Sequence, residues 1–204
     1  MLVPGELSHR DIDDGWILPA PVEREAVHTR SIVCRGFRRS DGLIDIDARF
    51  IDTRPFAYDS HLRGKVEAGA ELHNMQIRVT IDRTRQIVAV VSAMPSTPFD
   101  SCVGVNPNFQ RLVGLSISRG FRQAMRERLG GVEGCTHMLA MLEVVAAAAM
   151  QTFVSDSMAS RKPGEAPGIR TFNIESLVDT CWTYKSDGEV IEQFRRRRAE
   201  AAKT

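Results

Sequence analysis

Two kinds of periodicity, one after the other along the chain, predict an α+β domain: a four-stranded antiparallel sheet made of two hairpins, packed by helices on one face. Up to about residue 93, apolar and polar residues alternate in four runs separated by short polar turns. Beyond that point apolar residues recur every three or four positions, and no further strand run follows. Strands first and helices afterwards separates this pattern from the βα alternation of a doubly wound parallel sheet.

Residues 1–27, broken by Pro4, Pro19 and Pro21, read as an irregular arm that Trp16-Ile17-Leu18 would dock onto the body. Strand runs over 29–39 and 43–52 flank Ser40-Asp41-Gly42, and Asp-Gly between two such runs is a strong hairpin signal. In the second run Ile44, Ile46, Ala48 and Phe50 form the packing face, while Leu43, Asp45, Asp47 and Arg49 form the wet one. Residues 54–70, with Pro55, Gly64 and Gly69, are rich in turn signals and are expected to cross an edge of the sheet. The second hairpin pairs 72–81 with 86–93 around Asp82-Arg83-Thr84-Arg85, with Met75, Ile77, Val79 and Ile81 on one face.

The loop from Met94 to Cys102 leads to Asn106-Pro107, which reads as an N-cap followed by proline in the first turn of a helix carrying Phe109, Leu112 and Val113. A second helix is expected from Arg119 to Leu129, capped by Ser118 and stopped by Gly130-Gly131. The longest begins near Cys135 or Thr136 and runs to about Met158, with Leu139, Leu142, Val145, Ala146, Ala149 and Phe153 on a wide apolar face. Pro163, Gly164, Pro167 and Gly168 mark 161–168 as a linker-like loop. Ile174, Leu177, Val178, Cys181 and Trp182 then fit a short helix ending at Asp187-Gly188. The expected organisation is an arm (1–27), one domain (28–194) and a basic tail (195–204) carrying Arg195 to Arg198.

With 204 residues the chain is long enough for one domain with its own core. Its net charge of +1 argues against nucleic acid as the partner, since binding the phosphate backbone needs a basic excess. The apolar run from Met138 to Met150 is interrupted by Glu143 and falls short of the roughly 20 residues of a membrane-spanning helix. Four cysteines and no secretory leader suit a reducing cytoplasm, which is the expected location. A small-molecule ligand or a protein partner is compatible with this composition.

Phosphate-cradling glycine loops, a Gly-x-Ser-x-Gly elbow and a His-Glu-x-x-His pair are all missing from the sequence. The chemistry therefore rests on cysteines and histidines. Cys135 and His137 stand two residues apart at the start of the longest helix, where unpaired backbone N–H groups and the helix dipole favour a thiolate. The bland alternative makes Cys135 a small buried filler. Cys102 lies in the loop joining sheet to helices, His73 opens the third strand, and Glu71 precedes His73 by two. Cysteine, imidazole and carboxylate from three segments suit zinc or an iron–sulfur centre by donor type. Cys34 and Cys181 read as core, and His9, His28 and His61 as surface.

His28-Thr29-Arg30, Cys34-Arg35-Gly36, Asp52-Thr53-Arg54-Pro55, His73-Asn74-Met75, Arg126 to Gly131 and Gly134-Cys135-Thr136-His137 together resemble a bacterial family known as domain of unknown function 2889, over residues 28–194. That resemblance implies no activity. The order of strand pair, Cys102 loop, helices and Cys135 before an Ala-rich helix is also similar to NifU-like iron–sulfur cluster scaffolds. It implies that Cys102 and Cys135 match the scaffold's second and third cysteines. Near the scaffold's first cysteine this chain has Gly69-Ala70-Glu71, so Glu71 or His73 would substitute. The scaffold's histidine directly precedes its third cysteine, whereas His137 follows Cys135.

The leading expectation is a cytoplasmic accessory protein that binds a metal ion, such as zinc, or an iron–sulfur cluster through Cys102, Cys135, His137, His73 and Glu71. One rival is a small-molecule enzyme or carrier with Cys135 as nucleophile and His137 or His73 as its base. The other is a structural or partner-binding module with no site and no cofactor. Whether the chain is an enzyme is left open between these readings.

Overall fold

A computed structural model of the protein describes residues 22–160 and 174–201. The first hairpin pairs β1 (Thr29–Arg38) with β2 (Ile44–Thr53), in the register Thr29 to Thr53 through Arg38 to Ile44. Gly42 closes its turn at φ 86°, a left-handed conformation that glycine takes without strain. The stretch after β2 holds a two-stranded hairpin of its own, β3 (Tyr58–Ser60) and β4 (Gly64–Val66). β5 (Glu71–Ile81) then returns along β2, and β6 (Ile87–Ser96) pairs with β5. The result is a four-stranded antiparallel sheet in the order β1-β2-β5-β6.

The apolar faces predicted for β2 and β5 are buried, but the opposite face is not uniformly wet: Asp45, Asn74 and Thr80 are buried on it, with Thr80 Oγ1 donating to Asp45 Oδ1 (2.7 Å). Ile44, Ile46, Phe50, Met75, Val79 and Ile81 are essentially without solvent contact. They share one cluster with Phe109, Leu112, Met125, Leu129, Met138, Met141, Leu142 and Val145 from the helical half. Each large side chain so buried contributes roughly 1.5–3 kcal/mol. The same parity continues to the strand ends. On β1 it runs through Arg30, Ile32, Cys34, Gly36 and Arg38, and on β2 it ends at Asp52.

The helical half departs from expectation in its details. The segment carrying Phe109 and Leu112 is a 3-10 helix from Asp100 to Leu112 that starts before Asn106. Asn106 does not cap it; its side-chain oxygen accepts a hydrogen bond from Ser92 Oγ (2.9 Å). Helix α1 (Phe121–Leu129) begins after Gly120, whose φ of 91° replaces the expected Ser118 cap. Helix α2 (Thr136–Ala159) starts where expected, and Cys135 is its N-cap residue, without a side-chain capping hydrogen bond.

With 24 residues α2 is longer than its apolar run suggested, and it is long and apolar enough to cross a membrane by length and composition. Its Met138, Met141, Leu142, Val145 and Ala149 are instead packed in the core. Along β1 the backbone comes so close to α2 that a Cβ on Gly36 would fall 1.9 Å from Thr152 Oγ1. At the far end Asp156 of α2 accepts hydrogen bonds from Arg38 and Arg83.

No helix spans 174–188. Two 3-10 turns, Ile174–Leu177 and Trp182–Tyr184, stand there, with Asp179 at φ 60° between them. A left-handed residue breaks the helical run that the apolar spacing suggested. Cys181 is accordingly exposed, not core, and Trp182 is 84% exposed. The four arginines expected in a solvated tail lie inside helix α3 (Glu189–Ala201), where Arg195 pairs with Glu175 and Arg196 with Glu192. The linker-like loop 161–168 and residues 1–21 of the arm lie outside the described residues.

Candidate metal centre

Cross-strand register builds the site. Arg30 on β1 pairs with Asp52 on β2, and Asp52 pairs with His73 on β5, so the three stand in one row across adjacent strands at the end of the core face. His137, in the first turn of α2, comes over that row. Its ring lies 4.2 Å from that of His73 and 5.4 Å from that of Phe50, centroid to centroid.

Asp52 is the centre of the arrangement, with only 2% of its side chain exposed. Its Oδ1 accepts hydrogen bonds from Arg30 Nε (2.8 Å) and His28 Nε2 (3.0 Å), and its Oδ2 from Arg30 Nη2 (2.9 Å) and His73 Nδ1 (2.9 Å). Burial alone would raise the pKa of this carboxyl. The hydrogen bonds and charge of Arg30, with His73 and His28, more than offset that and hold it below the ordinary carboxylate value. An ionised carboxylate can only accept, so the nitrogens of His28 and His73 that face it carry protons.

Both inner histidines shift the other way. Burial lowers His73 by more than the Asp52 hydrogen bond and charge raise it, and the Arg30 and His28 charges lower it further. His137 is lowered by burial and then by the charges of His73 and Arg30, against the pull of Asp52. Both imidazoles are therefore neutral near pH 7. Arg30 also lies over the face of Phe50, its guanidinium carbon 4.5 Å from the ring centroid, which fixes the fork that grips Asp52.

One donor atom each from Asp52, His73 and His137 lies within 4.8 Å of the others, and among the described residues this is the group of side chains that could hold a metal ion. Of the residues expected from sequence, His73 and His137 belong to it. Cys135, the N-cap of α2, stands beside it with Sγ 3.9 Å from His137 Nδ1. Cys102 lies half-buried in the 3-10 segment after β6, outside the group. Glu71 is also outside it, because its carboxylate accepts from Arg49 Nη2 (3.0 Å) and Asn74 Nδ2 (2.7 Å). Cys34 is half-buried against the core, and burial pushes its thiol pKa up.

Asp52, Arg30 and His28 are the members that sequence reasoning missed, and a signal for two of them existed. A hairpin turning at Asp41-Gly42 places Arg30 opposite Asp52, since the two lie about equally far from the turn. His28, read as surface, is partly exposed but bonded to Asp52.

Fold and site together define an α+β protein with a buried carboxylate–imidazole cluster at one end of its antiparallel sheet. The family described as protein of unknown function (DUF2889) matches residues 28–151, and the chain belongs to that family. The matched span contains His28, Arg30, Asp52, His73, Cys135 and His137. No curated protein and no solved structure matches the chain.

Proposed function

We propose that this protein binds one divalent transition-metal ion, zinc or ferrous iron, through Asp52, His73 and His137. The observation that carries the reading is the convergence of these three donors from β2, β5 and α2. Two imidazoles and one carboxylate are a usual donor set for zinc and non-haem iron, and three protein ligands leave positions open for a small-molecule ligand. Asp52 Oδ2 and His73 Nδ1, 2.9 Å apart, have about the separation of two ligands at a right angle around an ion about 2.1 Å from each. For Nδ1 to serve as the ligand, the single proton of neutral His73 would move from Nδ1 to Nε2, so the ring would stay neutral and no net proton would be released. Ionised Asp52 and neutral histidines are the protonation states a metal requires. Arg30 and His28 keep Oδ1 and so orient the carboxylate from outside.

Iron–sulfur clusters are held chiefly by thiolates, and this donor set contains none, which favours a single ion over a cluster. The proposal extends to a cytoplasmic accessory role, supported by four free cysteines. It also extends to a NifU-like arrangement with the helices on the sheet face that carries Ile44 and Phe50. Titration calorimetry of zinc into the chelator-treated full chain is expected to show one ion per chain. His73→Ala and His137→Ala should each weaken binding by about 100-fold or more with unchanged circular dichroism. No uptake by the wild type, or equal affinity in the double variant, would sink the proposal.

The Cys135–His137 contact supports a second reading, a thiol-dependent enzyme or carrier with His137 as base. Under it, iodoacetamide alkylates Cys135 in the chelated protein faster than in the His137→Ala variant. Equal rates would end it.

A further inference from the structure

We propose that the outer face of the sheet, opposite the metal-site face, binds a small amphiphilic monoanion: an apolar chain ending in a carboxylate, held by Arg35. Over this face lies an open hollow of about 540 Å³, within the usual size range of small-ligand sites. Strand alternation ordinarily gives an outer face to polar groups. Here Val33, Phe37, Ile51 and Val91 line it, with Phe37 46% and Val91 65% exposed.

Three arginines stand among these apolar side chains, and two are satisfied. Arg78 makes a two-pronged bond to Asp47, Nε and Nη2 each 2.6 Å from a carboxylate oxygen. Arg49 bonds Glu71 (3.0 Å) and Asn74 (3.2 Å). Arg35 lies opposite Asp47 in the β1–β2 register, but Arg78 occupies both oxygens of Asp47. Among the described residues Arg35 makes no hydrogen bond or ion pair.

Asp47, Asp45 and Glu71 are thus paired with Arg78, Arg39 and Arg49, and Arg35 is left as one positive charge without a partner, set in an apolar surround. An apolar ligand would cover the valines and Phe37 but leave Arg35 facing it unpaired. An inorganic anion would pair Arg35 and leave the apolar surface wet. A single carboxylate matches both the one surplus charge and the planar fork of a guanidinium, and its chain covers the remainder.

The test is titration calorimetry of sodium dodecanoate, kept below its micelle concentration, into the full chain, with acetate and dodecanol as comparisons. One dodecanoate should bind per chain, acetate should not bind measurably, and dodecanol should bind at least about tenfold more weakly. Arg35→Gln should bring dodecanoate down to the level of dodecanol, and Val91→Asp should weaken both long-chain ligands. Chelator treatment should change none of this, because the face does not depend on the metal site. Absence of dodecanoate binding, equal binding of dodecanol, or an unchanged Arg35→Gln variant would overturn the proposal. So would sedimentation as a dimer that Val91→Asp dissociates, which would make a second copy of the chain the occupant.

Discussion

Two carboxylates, Asp52 on β2 and Asp156 on α2, sit at opposite ends of β1, and an arginine of that strand holds each: Arg30 at one end, Arg38 at the other. Both are largely buried, with 2% and 9% of their side chains exposed, and both have pKa values lowered below the carboxylate norm by those cations against the opposing effect of burial. They differ in their remaining partners. Asp156 adds a second arginine, Arg83, so all its counter-charges are permanent. Asp52 adds two imidazoles, which are neutral or protonated according to pH and which bind metals. Near-equal burial of the same residue type thus yields a staple at one end and a candidate site at the other, and the titratable partners make the difference.

The sharpest test of that contrast exchanges the arginines. Arg30→Gln loosens the Asp52 carboxylate and, if that carboxylate holds the proposed ion, is expected to lower zinc affinity by about 10–100-fold, whereas Arg38→Gln should leave it unchanged. Equal effects in calorimetric titrations would erase the distinction. Gly36→Ala acts midway between the ends. Its methyl group would meet Thr152, pushing α2 off β1 at a cost of about 1–3 kcal/mol in urea unfolding.

Asp156→Asn removes the staple. Because Arg38 and Arg83 are about half exposed, the expected loss is only about 1 kcal/mol, with zinc affinity intact. The smallest effect separates the ends by pH. A histidine whose folded pKa is depressed binds fewer protons than in the unfolded chain, so acid favours unfolding once pH falls below the ordinary 6.5. The carboxylates, also depressed, give up their contribution only as pH falls below the ordinary 3.8 and through their folded values. In metal-free protein the urea midpoint should therefore begin to fall below about pH 6.5. His73→Ala should flatten that fall, and Asp156→Asn should leave it unaltered.

Much of the fold was legible because its signals are local. The Asp41-Gly42 turn, the alternation in β2 and β5 and the start of α2 after Cys135 each follow from a few neighbouring residues. The 174–188 segment misled for the opposite reason. Its apolar spacing is helical, but nothing local announces that Asp179 takes a left-handed conformation and bonds across the turn to Ser186 N (2.9 Å).

The site divides along the same line. His73 and His137 could be picked out by residue type and by position at the beginning of an element, and the Arg30–Asp52 pair was implicit in the hairpin. Glu71 and Cys102 looked equally suitable, yet one is engaged by Arg49 and Asn74 and the other lies outside the cluster.

By itself, the sequence determined which residues form the four strands of the main sheet, which face of β2 and β5 packs and where the long helix begins, because period and turn chemistry act over a few residues. Only the tertiary structure decided that Asp52 meets His73 and that α2 brings His137 to them. A period of two assigns a side chain to a face, but it does not choose the partner strand across a 17-residue connection such as 54–70. That choice follows from the packing of the whole core, and it brings the carboxylate and the two imidazoles together.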